Sequence, residues 1–118
     1  MTTFLCRLAD LEATGAKELV IEDAGIRHRI FVVRHEAGAA AYFNACPHAR
    51  LPLNAAPDVF VDFSGSFLFC ANHGAHFEVA TGRCIRGPCK GESLRPLPVR
   101  IDGGNVVCTD SDYTVCEA

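Results

Sequence analysis

Along this chain the apolar residues come in short runs, alternating or nearly continuous, broken at close intervals by Gly, Pro, Asn and Asp. Residues 16–22, AKELVIE, alternate in part and lead into DAGIR, a turn sequence. HRIFVVRH, 28–35, is dense in β-branched and aromatic residues; EAGA turns the chain, and AAYFNA, 40–45, follows as a strand. DVFVDF, 58–63, and SFLFC, 66–70, read as two more strands around Ser64 and Gly65. HFEVA, 76–80, ends at a Thr81–Gly82 turn, and DGG separates PLPVRI from NVVCT as a hairpin turn. No segment carries the apolar period of an amphipathic helix, and no internal repeat is present. Short strands at close spacing predict an all-β fold, an antiparallel sandwich or barrel, in a single domain over residues 1–118. RGPCKGESLRPLP, 86–98, reads as a Pro- and Gly-rich loop within that domain.

Composition narrows the function. About half of the 118 residues are apolar, enough for a real core, and the net charge is -3. Lys and Arg are scattered, without the basic stripe of a phosphate-binding surface, which argues against nucleic acid. No apolar run is long enough to span a membrane, and the N-terminal residues lack the layout of a secretion signal. The expected location is the cytoplasm. Seven cysteines is a high and odd count. In a reducing compartment they bind metal, catalyse or sit inert in the core more often than they form a disulfide framework. Cys6, Cys108 and Cys116 read as small core or surface residues. Cys84 and Cys89 could pair locally, but free thiols are expected.

Two short segments concentrate soft ligands. NACPHARLPLN holds Cys46 and His48 in a C-x-H pair; FCANHGAHFEVATGRC holds Cys70 and His73 in a C-x2-H pair. Each pair lies where a strand gives way to a loop, and 21 residues with two predicted strands separate them. That is enough chain to bring both loops to one end of a sheet. Two thiolates and two imidazoles suit tetrahedral zinc or a two-iron cluster in which histidines replace cysteines on one iron. A zinc finger groups its cysteines and its histidines separately. Here each loop gives one of each, which suits two chemically different irons. Pro47 stiffens the C-x-H turn, and Gly74 lets backbone amides come close to a cluster. His76 reads as a surface or hydrogen-bonded strand residue, His28 and His35 as solvated, and Phe77 as core.

With these motifs in view, the chain resembles the Rieske ferredoxins of the soluble, oxygenase-associated kind. CPHARLPL is similar to that family's first cluster loop and CANHGAHFEVATGRC to its second, while GPCKGESLRPLPVRIDGGNV resembles its proline loop and closing hairpin. The resemblance implies a Rieske fold with a cluster-binding part over about residues 44–90 and one [2Fe-2S] cluster. By the same resemblance Cys46 and Cys70 bind the inner iron, His48 and His73 bind the outer iron, and Pro88 closes the proline loop over the cluster. It further implies a one-electron carrier, not an enzyme by itself, between an NAD(P)H-dependent flavin reductase and a ring-hydroxylating oxygenase. Docking is expected near His48 and His73, on Ala49, Arg50, Leu51 and Pro52. Rival readings are an accessory small subunit of a nitrite reductase-type enzyme and a zinc-binding structural domain.

The departures from the family are informative. Cytochrome-complex relatives carry an extra cysteine in each loop, where this chain has Leu51 and Asn72. They also place serine and tyrosine hydroxyls on cluster sulfur, where this chain has Ala75 and Phe77. A donor to sulfur stabilises the more negative, reduced cluster. Two missing donors lower the potential on the order of 100 mV, toward the bottom of the Rieske range at roughly -150 mV.

Overall fold

The structure, a computed structural model, describes residues 2–36, 38–47, 50–72, 74–109 and 113–116. In chain order the strands are β1 (Thr3–Arg7), β2 (Ala16–Asp23), β3 (Ile26–His35), β4 (Gly38–Phe43), β5 (Phe67–Phe69) and β6 (His76–Glu78). They continue with β7 (Cys84–Arg86), β8 (Pro96–Leu97), β9 (Val99–Asp102), β10 (Asn105–Cys108) and β11 (Thr114–Cys116). A single 3-10 turn, Leu8–Leu11, follows β1. Three antiparallel sheets result, with orders β11-β2-β3-β4-β8, β1-β10-β9 and β5-β6-β7. The fold is all-β, as the pattern predicts.

Strand β3 explains how the sheets divide. Its central run Ile30–Val33 is buried throughout, and strand side chains alternate between faces. Ile30 and Val32 join Leu5, Leu11, Ile21, Val106 and Tyr113 in one core. Phe31 and Val33 join Phe60, Leu68, Phe77 and Leu94 in a second. β4 repeats this, with Phe43 in the first core and Tyr42 in the second. The near-continuous apolar run is the signature of a strand covered on both faces. Its second face carries the small β5-β6-β7 sheet, Cys46 and Cys70.

Both tight hairpins follow their turn residues. Ala24 and Gly25 have φ of 51° and 81°, and Gly103 and Gly104 have 57° and 84°. Two consecutive positive φ values match the right-handed twist of the flanking strands.

Segment 58–63 corrects one expectation. It is not a strand; it makes one bridge, Val61 to Leu68. Local polar groups compete for the backbone. Asp58 sits at φ 61° and accepts the Glu18 N–H at 2.7 Å. Asp62 accepts the Ser64 hydroxyl at 2.7 Å, and the Gly65 N–H donates to the Asp62 carbonyl at 3.0 Å. Phe60 is still delivered to the core, stacked on Phe31 at 4.2 Å between ring centroids. His28 also differs from expectation. Its ring packs edge-on to Phe43 at 5.5 Å and Tyr113 at 6.3 Å rather than standing in solvent. The strands β1, β7 and β11, which the apolar pattern does not announce, are three to five residues long.

Candidate metal centre

Cys46 follows β4 and Cys70 follows β5, and both are fully buried in the core beneath the small sheet. Their loops close in the same way. The Cys46 N–H donates to the Leu51 carbonyl at 2.8 Å, and the Arg50 N–H donates back to the Cys46 carbonyl. In the second loop the Cys70 N–H donates to the Ala75 carbonyl at 2.8 Å and the Gly74 N–H to the Cys70 carbonyl at 2.9 Å. The fourth residue after each cysteine, Arg50 at φ 56° and Gly74 at φ 70°, takes the left-handed conformation. Two segments of different sequence thus build one backbone form. Arg50 takes this form with a side chain, and Gly74 takes it with none.

The loops are also tied together. The Ala71 N–H donates to the Leu53 carbonyl at 2.8 Å, and Asn72 Nδ2 donates to the Pro52 carbonyl at 2.9 Å. The same amide lies 3.8 Å from Cys70 Sγ. Asn72 thus cross-links the two loops through a hydrogen bond. His48, Ala49 and His73 lie outside the described residues. Leu51 is half-exposed at the rim, beside Arg50.

An amide network sets the first loop on the sheet. Asn44, buried at 6 % exposure, accepts the Leu53 N–H at 2.8 Å through Oδ1. Its Nδ2 donates to Glu18 Oε2 at 2.7 Å and to Asn54 Oδ1 at 2.9 Å. Glu18 also accepts from Arg29 Nε at 2.7 Å. Sequence reasoning passed over Asn44 and Glu18; the signal was a polar residue closing an apolar strand two positions before Cys46. Asn44→Ala leaves the buried Leu53 N–H without an acceptor and is expected to cost about 1–3 kcal/mol, measured by chemical denaturation.

Glu18 gives this network a pH dependence. Desolvation pushes its carboxyl pKa up, but hydrogen bonds from Arg29 and Asn44 outweigh that, and the net shift is downward. A folded pKa below the unfolded one contributes stability above the unfolded value, about 4.3. That contribution is lost as pH falls through the folded value. Glu18→Gln is expected to flatten the acid limb of the stability curve below about pH 4.3, read from denaturation midpoints across pH.

A third segment completes the wall. Gly87 presses on the second loop so closely that a Cβ there would lie 2.8 Å from Ala75 Cα. Pro88 itself is exposed, and the residue of this turn that reaches the interior is Cys89, at 2 % exposure. Burial, with Cys84 as hydrogen-bond partner, pushes the Cys89 thiol up to about 12. Phe77 is core, as expected. His76 holds the exit of the second loop, with Nδ1 2.9 Å from the Gly74 carbonyl and Nε2 3.7 Å from Asp62.

The donor set fits an iron–sulfur group. Two buried thiols stand on matched loops, and thiolate is the usual ligand of iron–sulfur iron. A sequence profile of the Rieske [2Fe-2S] domain matches residues 2–110. Among solved structures, the ferredoxin of carbazole 1,9a-dioxygenase from Nocardioides aromaticivorans IC177 is 22% identical with a TM-score of 0.69, over 92% of this chain and 96% of that one. A complex of reduced oxygenase and oxidised ferredoxin in carbazole 1,9a-dioxygenase also matches, with a TM-score of 0.69 at 22% identity over 91% of each chain. A putative nitrite reductase small subunit gives 0.67 at 19% identity, over 93% of this chain and 99% of that one. At these identities the likeness is one of fold. No curated protein sequence matches the chain.

Proposed function

This chain belongs to the Rieske [2Fe-2S] domain family, and from that premise we propose that it is a ferredoxin, a one-electron carrier from an NAD(P)H-dependent flavin reductase to a ring-hydroxylating oxygenase. The carrying observation is the pair of matched, cross-tied loops that hold Cys46 and Cys70 over a closed apolar floor. The reading assigns four ligands, Cys46 and Cys70 for one iron and His48 and His73 for the other. When bound, the cluster supplies reversible storage of one electron.

The chain's own residues do the rest. Leu53, Leu68, Phe77 and Leu94 exclude water from behind the thiols. Asn44 and Asn72 keep the two loops in register. Arg50, Leu51 and Pro52, which follow His48 closely in the chain, give a small, partly apolar exposed edge suited to a weak and short-lived complex. The likeness to ferredoxins along nearly their whole length, one of them in complex with its oxygenase, supports the carrier reading. Among the described residues no helix is long and apolar enough to cross a membrane.

The potential tests the carrier role. Voltammetry of the cluster-loaded protein is expected to give a value toward the lower end of the Rieske range, roughly -150 mV. A value near the upper end, roughly +300 mV, would hold the electron too tightly for this role and overturns it. The likeness to a nitrite reductase small subunit supports a second reading, an accessory subunit of such an enzyme. Copurification with a large reductase subunit, rather than reduction by a separate flavoprotein, would select it.

A further inference from the structure

We propose that Cys84 and Cys89 are a reversible dithiol–disulfide couple: a low-molecular-weight disulfide oxidises the pair, and the new bond locks the turn between them onto the second Cys–His segment. The proposal stands on the placement of these two thiols, not on the ligand set or the carrier role.

Both thiols are free, and both are buried, at 1 % and 2 % exposure. Cys89 Sγ lies 3.1 Å from Cys84 Sγ. A disulfide bond is about 2.05 Å long, so an approach of about 1 Å closes the gap. Backbone holds the two residues at that separation. The Cys84 N–H donates to the Glu92 carbonyl at 2.8 Å, the Gly91 N–H to the Cys84 carbonyl at 3.1 Å, and the Glu92 N–H to the Cys89 carbonyl at 2.9 Å. The entropy of bringing the sulfurs together is therefore lost on folding, before any bond forms between them.

An oxidant has a short way in. Ile85, Arg86, Gly87 and Pro88 are exposed, and so is Lys90; between Arg83 and Ser93 the two cysteines are the only buried residues. Lifting the 87–89 turn uncovers Cys89 without opening a sheet. Burial makes the thiols slow nucleophiles, so the reaction waits on that local opening.

The exchange runs in two steps. Cys89 gives its proton to water and attacks one sulfur of the small disulfide; a mixed disulfide forms and one small thiol leaves. Cys84 then loses its proton and attacks the Cys89 sulfur; the Cys84–Cys89 bond forms and the second small thiol leaves. The protein gives up two electrons and two protons, and the small disulfide takes them as two thiols. At a reducing poise the exchange runs backwards, and the free thiols are the resting form. The bond keeps Gly87 on Ala75, where an added Cβ would lie 2.8 Å from Ala75 Cα. The Ala75 carbonyl accepts the Cys70 N–H at 2.8 Å, so the lock bears on the closure of the second loop.

The test uses the full chain as purified. It is incubated with oxidised glutathione, quenched with an alkylating agent and digested with trypsin without reductant. Cuts after Arg83, Arg86 and Lys90 release CIR and GPCK, residues 84–86 and 87–90. The two joined by a disulfide are expected to replace most of the alkylated forms, and dithiothreitol is expected to separate them. The oxidised protein is expected to unfold at higher denaturant than the reduced one, and Cys89→Ser to show neither the joined peptide nor the gain. CIR and GPCK that both stay alkylated overturn the proposal. So does a glutathione adduct that persists on either, or a bond from either to another cysteine. Equal denaturation midpoints for the oxidised and reduced protein, or a gain that survives in Cys89→Ser, overturn the lock. If Cys89→Ser fails to fold, the wild-type peptide map and midpoints decide. Failure of the ferredoxin reading would leave each of these outcomes as it stands.

Discussion

His48→Ala and His73→Ala proteins are expected to lose the Rieske-type electron paramagnetic resonance signal entirely, whereas Cys84→Ser keeps it. This is the largest effect the proposal makes, because each change removes one of the four proposed ligands. Among the described residues the remaining histidines have other engagements. His28 packs against Phe43 and Tyr113, and His76 is turned to the Gly74 carbonyl and Asp62. Cys46→Ser and Cys70→Ser are expected to fail in the same way, since each removes a buried thiol at the floor of the site. Cys84 faces the Arg86 carbonyl and Cys89 instead. A Cys84→Ser protein without the signal, beside a His48→Ala protein that retains it, would refute the ligand set. The measurement is the spectrum of each dithionite-reduced protein at equal protein concentration.

Gly87→Ala is expected to destabilise the protein by about 2–4 kcal/mol, several times more than Gly74→Asn. The two glycines look alike in the sequence, and each has a positive φ, 105° at Gly87 and 70° at Gly74. What differs is the space around them. At Gly74 no atom of the described residues lies within 4 Å of an added Cβ, so an asparagine meets only the modest strain of the left-handed region, about 1 kcal/mol. At Gly87 the new Cβ would meet Ala75 Cα at 2.8 Å and Ala75 N at 3.3 Å. Backbone cannot rotate away as a side-chain tip can. Relief requires the 87–89 turn to lift from the second loop, and Cys89 leaves the core with it. Denaturation midpoints of the two variants give the comparison. Equal losses would mean that the contact between Gly87 and Ala75 contributes nothing to stability.

Much of this molecule is legible in its chain. The alternation in residues 16–22, the dense run in 28–35 and the DGG turn produce β2, β3 and the β9-β10 hairpin, because strand periodicity and turn angles are local properties. The family was legible as well, since its motif is a short spacing of ligands. Segment 58–63 and the strands β1, β7 and β11 were not. Segment 58–63 has a strand's pattern, yet Asp62 caps the turn through Ser64 and Phe67, and Asp58 is tied to the Glu18 N–H, 40 residues away in sequence. Three-residue strands such as β7 are too short to show a period, and pairing alone makes them strands.

What the sequence by itself determined is the set of parts: an all-β chain, two Cys–His segments at strand ends, and glycines where the backbone must turn. Tertiary structure decided how those parts act together. β3 is covered on both faces because two separate cores meet on it, which periodicity cannot distinguish from a single buried strand. Cys46 and Cys70 share one backbone form although their loops share little sequence, because the same pair of hydrogen bonds closes each. Asn44, Asn72 and Cys89 gained their places through contacts with Leu53, Pro52 and Cys84. A contact of that kind depends on which surfaces the packed sheets bring together, and no local stretch of residues carries that information.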